Sequence, residues 1–197
     1  MQRRTSRIHS TTASPQGAVP VPALATASRT RPDTREADPI LRRNLEIVIT
    51  HTKAESRGDL DGLMDTLTDE PAYRMGTPGA PGMQPQGRAE VRAFYSDFIA
   101  SGATRLEHDV DRLAVDRDCV VTDGLMRMDY PGGTLLALGI EVDDPDAFYL
   151  YETRMAIVWP IDEQGRIIGE ESYTDRDGFD GIAGRKLGAG DVLPLNA

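Results

Sequence analysis

The sequence predicts one α+β domain in which helices come first and an antiparallel sheet follows. Three observations carry that prediction. Apolar residues recur at helical spacing in three stretches before residue 102, alternation takes over after residue 103, and glycine or proline punctuates the changes between them. The chain has 197 residues, enough for one such domain with a sizeable core and a tail to spare.

Residues 1–37 are rich in Arg, Ser, Thr, Ala and Pro, with only scattered apolar side chains. Such a segment cannot bury enough surface to offset its ordering entropy, so it reads as a disordered basic tail. It superficially resembles an organelle transit peptide, but it has no amphipathic face. The folded domain is expected over 38–177. Its first helix opens at Asp38-Pro39, an N-cap followed by proline at the first helical position. Leu41, Asn44, Leu45 and Val48 form a mostly apolar stripe, His51 and Thr52 extend it, and Gly58 ends the helix. A shorter helix follows, capped by Asp59 and burying Leu60, Leu63, Met64 and Leu67. Glu70-Pro71 breaks it, because proline disfavours a helical residue before it.

A short strand is expected over 72–75, and a loop over 76–87, where four glycines and three prolines fall. The stretch 88–101 returns to helical spacing through Val91, Phe94, Tyr95 and Phe98, and Gly102 stops it. Everything later reads as strand: 104–115, 119–130, 148–159 and a last strand over 165–175. Turns fall at Asp116-Arg117-Asp118 and Pro131-Gly132-Gly133, and a hairpin-length link joins the last two strands. Residues 178–197 read as an irregular glycine-rich extension.

Hydrophobic residues at 39% and charged residues at 27% describe an ordinary soluble protein. The longest apolar run, 135–140, is strand-sized and far below the roughly 20 residues that span a bilayer. The first stretch has no continuous apolar core, so no secretory signal is expected. We therefore expect a cytoplasmic protein with no membrane partner. The single cysteine, Cys119, cannot form an internal disulfide and reads as a buried, inert thiol. Net charge is −10, unevenly divided: residues 1–39 hold six arginines against three acids, and the rest holds sixteen bases against twenty-nine acids. Such a surface repels phosphate backbones, so no nucleic-acid partner is expected. There is no zinc-type histidine pair, no phosphate-binding glycine loop and no nucleophile elbow, so no metal and no cofactor are expected.

Three motifs add a resemblance that covers roughly residues 40–177. Arg57-Gly58-Asp59-Leu60-Asp61-Gly62-Leu63-Met64 resembles the helix junction of the SnoaL-like and nuclear transport factor 2-like superfamily. Gly87-Arg88-Ala89-Glu90-Val91-Arg92-Ala93-Phe94-Tyr95 is similar to the start of that family's third helix, and Gly165-Arg166-Ile167-Ile168-Gly169-Glu170-Glu171 to its closing turn and strand. The resemblance implies a cone-shaped α+β barrel, with three N-terminal helices packed on a curved antiparallel mixed sheet around one interior pocket. It also implies a homodimer. In SnoaL-like cyclases an aspartate near the end of the last strand is the base, and Asp175 is the nearest match.

The candidate site residues follow from strand parity, since alternate residues share a face. Asp175 is the candidate base, its carboxyl raised by partial desolvation; the alternative is a solvated strand-end aspartate. Tyr173, Tyr151 and Tyr73 could hold a developing oxyanion or simply pack. His108 shares a face with Leu106 and Val110, and reads as an inward acid or base, or as a core histidine bonded to a neighbour. His51 reads as a histidine favoured by the helix C-terminal dipole. Arg154 with Glu171 or Glu152 would pair in the pocket wall, and Trp159 shares the parity of Tyr151. The expected catalytic set is Asp175, His108 and Tyr173; the expected ligand-binding set is Tyr73, Tyr151, Arg154, Glu171 and Trp159. The resemblance then implies a cofactor-independent isomerase, cyclase or dehydratase acting on a small apolar carbonyl compound. The alternative is a non-catalytic binding or dimerisation module. An acid–base pair inside the pocket favours the enzyme, and an apolar cavity with its carboxylates outside favours the binder.

Overall fold

In the computed structural model, which describes residues 38–76 and 83–194, the first helix begins at the expected cap. The Asp38 side chain accepts the Ile40 amide at 2.9 Å, and Pro39 opens α1 (Pro39–Arg57). Gly58 closes it at φ 67°, a left-handed cap suited to glycine. Helix α2 (Leu60–Asp65), capped by Asp59, stops before Leu67, because the chain there leaves to pair with Ile167. Strand β1 (Arg74–Gly76) and helix α3 (Gly87–Ala100) follow. The expected tail over 1–37 lies outside the described residues.

Four further strands complete the sheet: β2 (Leu106–Val115), β3 (Cys119–Pro131), β4 (Phe148–Pro160) and β5 (Glu171–Thr174). Their order is β1-β5-β4-β3-β2; β1 runs parallel to β5 and every other pairing is antiparallel. The result is an open mixed sheet with α1 lying across β2 and β3, the expected α+β architecture. A bulge between Val110 and Arg112 bends β2. Gly124 permits it, since a Cβ there would run into the backbone of Asp109 and Val110.

Two expected elements differ. Between β3 and β4 the chain forms a short helix, α4 (Gly132–Ala137), where a turn and strand-like run were expected. The Gly132 and Gly133 amides bond back to Ala147 and Pro145, which closes the loop and buries Leu135 beneath it. The last strand is also much shorter than 165–175. Residues before Glu171 serve other edges: Ile167 bridges Leu67 and Ile161, and Gly169 presses against the Ala72 backbone.

The segment after Gly178 is irregular but docked. Arg185 bonds the carbonyls of Leu150, Asp180 and Gly178, and the Leu193 amide bonds Asp129 at 2.6 Å. Among the described residues no helix is long and apolar enough to cross a membrane.

Candidate active site

Alternate residues of β4 (Tyr151, Met155, Ile157 and Trp159) face a cavity of about 760 Å³. The other strands contribute on the same alternation, and α1 and α3 close it with Val48, Glu55, Phe94, Tyr95 and Phe98. Its volume falls among those of small-molecule sites.

Two glutamates reach this space, Glu55 from α1 and Glu170 from the residue before β5. Among the described residues neither has an ion-pair partner. Burial pushes Glu55 up to about 7 and Glu170 up to about 8, and the charge of Glu55 adds to the rise at Glu170. Two carboxyls so placed titrate as a pair and hold about one proton between them near neutral pH.

A hydrogen-bond chain runs behind Glu170. Thr66 Oγ1 donates its single proton to the Leu63 carbonyl at 2.6 Å, so it accepts from His51 Nδ1, also at 2.6 Å. Burial lowers His51 to about 3, so the ring is neutral. The Tyr95 hydroxyl has one proton and three groups within reach: His51 Nε2 at 3.2 Å, the Tyr73 hydroxyl at 3.3 Å and Glu170 Oε2 at 3.5 Å, the last at the outer edge of hydrogen-bond reach. Turned to Glu170 it favours the carboxylate and offsets part of the rise that burial causes. Glu170 still stands above Glu55, so Glu170 is the acid of the pair and Glu55 the base. Burial holds both tyrosines far above the ordinary phenol range, so each keeps its proton.

The structure divides the expected residues between two faces. Tyr151, Trp159 and His108 line the cavity, and Trp159 packs edge-on against His51 at 5.4 Å. Burial lowers His108, its ring bonds the Met155 backbone, and its buried Nε2 has no partner among the described residues. Tyr73 is buried behind the wall, bonded to Tyr95. Asp175, Tyr173, Glu171 and Arg154 lie outside the lining. Asp175 accepts from the Thr153 hydroxyl at 2.9 Å and the Arg154 amide at 3.1 Å, which hold it below the usual carboxylate range. Tyr173 is 46% exposed and donates to Glu171 at 2.9 Å; Glu171 in turn pairs with Arg74 at 2.5 Å. Arg154 pairs with Asp111 and Asp123 at 2.7 and 2.6 Å, instead of Glu171 or Glu152.

The reason is a change of phase. Ile167 and Gly169 are buried, but so are Glu170 and Ser172, so the alternation slips by one residue after Gly169. A single unbroken strand would put Ile167, Gly169, Glu171, Tyr173 and Asp175 on one side; the slip sends the last three outward and turns Glu170 in. Glu55 did leave a signal in sequence. It follows His51 by four residues, on the stripe that already held Leu41, Leu45 and Val48. Among the described residues no cluster of three His, Cys, Asp or Glu stands ready to hold a metal.

Against known proteins, a model of the SnoaL-like domain family matches residues 48–169, stopping one residue before Glu170. A proposed SnoaL-like polyketide cyclase from Shewanella denitrificans OS-217 superposes with a TM-score of 0.56 at 14% identity, covering 70% of this chain and 92% of its own. An epoxide hydrolase from M. tuberculosis of the LEH-like type gives 0.52 at 18% identity, with 73% and 92% covered. The epoxide hydrolase/cyclase-like enzyme SalBIII, of pyran ring formation in the polyether salinomycin, gives 0.50 at 14%, with 68% and 91% covered. At these identities the likeness concerns the fold. No curated protein matches the sequence.

Proposed function

The chain belongs to the SnoaL-like domain family, and from that premise we propose that it is an acid–base enzyme of the isomerase, cyclase or dehydratase kind. Its substrate is a small, largely apolar molecule with a neutral oxygen. The observation that carries this reading is the glutamate pair lining the cavity, both carboxyls raised by burial into the range where one can hold a proton while the other gives its own up. Such a pair supplies acid and base together at neutral pH.

For a ketone with a carbon–carbon double bond beginning at the β carbon, Glu55 takes a proton from the carbon between that bond and the carbonyl while Glu170 donates its own proton to the carbonyl oxygen. The enol so formed is neutral, so no oxyanion has to be held in an apolar space. Return of a proton from Glu55 to a different carbon, with recovery of the hydroxyl proton by Glu170, completes an isomerisation and restores both groups. The reaction moves protons only, which is why the proposal includes no cofactor. His51, Tyr95 and Thr66 stand behind Glu170 as a hydrogen-bonded row, and the Tyr95 hydroxyl tunes its carboxyl.

The apolar lining also suits a cavity that binds without catalysis, but the paired carboxyls favour the enzyme. We carry the homodimer as a proposal resting on family resemblance, to be checked by sedimentation. The test of function is turnover of a panel of steroid and polyketide ketones and terpenoid epoxides by wild type and Glu170→Gln. Conversion by the wild type alone supports the enzyme; equal binding with no conversion by either contradicts it.

A further inference from the structure

The cavity has a second polar end. On the inner face of β4, Trp159 stands beside the His51 hydrogen-bond chain and Tyr151 stands eight residues away. At roughly 3.3 Å per residue, that is on the order of 25 Å of strand. The same cavity touches both, with Met126, Met155 and Ile157 between them. The space is therefore long for its volume and mostly apolar along its middle, with His108 beside Met126 as an interruption.

At the far end the rings of Tyr130 and Tyr151 lie 5.8 Å apart, each braced by Phe179 at 5.0 and 4.9 Å. The other four tyrosines, Tyr73, Tyr95, Tyr149 and Tyr173, all bond through their hydroxyls. Among the described residues the hydroxyls of Tyr130 and Tyr151 have no such partner, though both residues line the cavity. Burial raises both phenols, Tyr151 to about 12 and Tyr130 further, so each is a standing donor. Neither hydroxyl oxygen is sealed off, so each can give its proton to an acceptor in the space it borders. Asp177 lines the same end and its own oxygen accepts the Phe179 amide at 2.9 Å. Its negative charge disfavours a carboxylate there and leaves a carbonyl, ether or hydroxyl oxygen as the fitting group.

We propose that the Tyr130 and Tyr151 hydroxyls form a distal subsite for a neutral oxygen at the far end of an elongated, otherwise apolar ligand, whose near end lies at the glutamates. The proposal rests on the reading above in taking the cavity as the ligand site, and it does not require turnover.

Trp159 is the only tryptophan and lines the cavity, so its fluorescence reports occupancy directly. Two probes separate the terms: hexadecane-1,16-diol, whose extended chain is long enough to carry an oxygen toward each end, and hexylbenzene, with none. In the Tyr130→Phe/Tyr151→Phe variant, diol affinity is expected to fall about five- to tenfold. Hexylbenzene affinity is expected to stay within about twofold, which also reports that the variant is folded. Equal weakening of both probes, or no weakening of the diol, overturns the subsite; so does a wild type that binds hexylbenzene and not the diol. A wild type that binds neither contradicts the cavity reading as well. One that binds the diol as expected but converts no substrate contradicts the proposed activity alone.

Discussion

On β4, Tyr151, Thr153, Ile157 and Trp159 turn inward and are buried, while Glu152 and Arg154, one residue out of step, lie in a web of ion pairs outside. Arg154 links Asp111 and Asp123; Arg127 reaches Glu152 at 3.1 Å and Glu107 at 3.8 Å. Both faces hold carboxyl groups, but their states are opposite. Outside, Arg154 and Arg112 hold Asp123 below the usual range, and hydrogen bonds do the same for Asp175. Inside, buried and without an ion-pair partner among the described residues, Glu55 and Glu170 rise into the range where a proton can be gained or lost near pH 7. Residue type is shared between the faces; position alone turns a fixed anion into a working acid.

The comparison breaks most sharply at Glu170. Glu170→Gln keeps the volume and removes the exchangeable proton, and steady-state kinetics on a converted ketone should show a loss of about 100-fold or more. Ligand affinity should change by no more than about twofold. Glu55→Gln should lose a similar factor. In the wild type, the rate profile should be a bell whose limbs lie near the two raised values, because only the singly protonated pair works.

Stability should carry the same signature. Folded Glu55 and Glu170 bind their protons more tightly than the ordinary glutamate value of 4.5 allows in the unfolded chain. Their contribution is therefore complete below about pH 4.5 and lost as pH rises through about 7 to 8. His51 has the opposite sign: its folded value near 3 lies below the ordinary 6.5, so stability falls as pH drops from 6.5 toward 3. From these three groups, denaturant unfolding should show a maximum near pH 4.5 and a fall of roughly 4 kcal/mol by pH 8. Glu170→Gln should flatten the alkaline side alone.

A smaller effect is expected at Tyr95→Phe. It leaves His51 Nε2 unpaired and takes away the hydroxyl that can donate to Glu170. Unfolding should cost about 1–3 kcal/mol less, and the alkaline limb of the rate profile should move to higher pH. A merely structural tyrosine would lower stability without moving that limb. The smallest effect belongs outside: Asp175→Asn should leave turnover within about twofold, and a hundredfold loss there would return the base to the outer face.

Much of the architecture was legible in the sequence because its signals are local. The Asp38-Pro39 cap, the Gly58 stop and the alternation of β3 and β4 each depend on neighbours in sequence, and each lies where those residues say. The site was less so. Glu170 turns inward because Gly169 must pass close to the Ala72 backbone, a contact made by a residue nearly a hundred positions away. Alternation counted through that point puts Glu171, Tyr173 and Asp175 on the wrong side. Helix α4 escaped for the same reason, since its first amides bond across a loop to Ala147 and Pro145. His51 and Glu55 could be placed on a buried stripe, but their meeting with Tyr95 depends on how α1 and α3 pack.

The central claim is that Glu55 and Glu170 share a proton within the cavity at neutral pH. Carbon-13 NMR of the glutamate carboxyl groups, titrated from pH 5 to 9 in wild type and Glu170→Gln, reads it directly. The account predicts glutamate carboxyls titrating near pH 7 to 8 in the wild type, with the higher step absent in the variant. Glutamates that all titrate below pH 5 would contradict it.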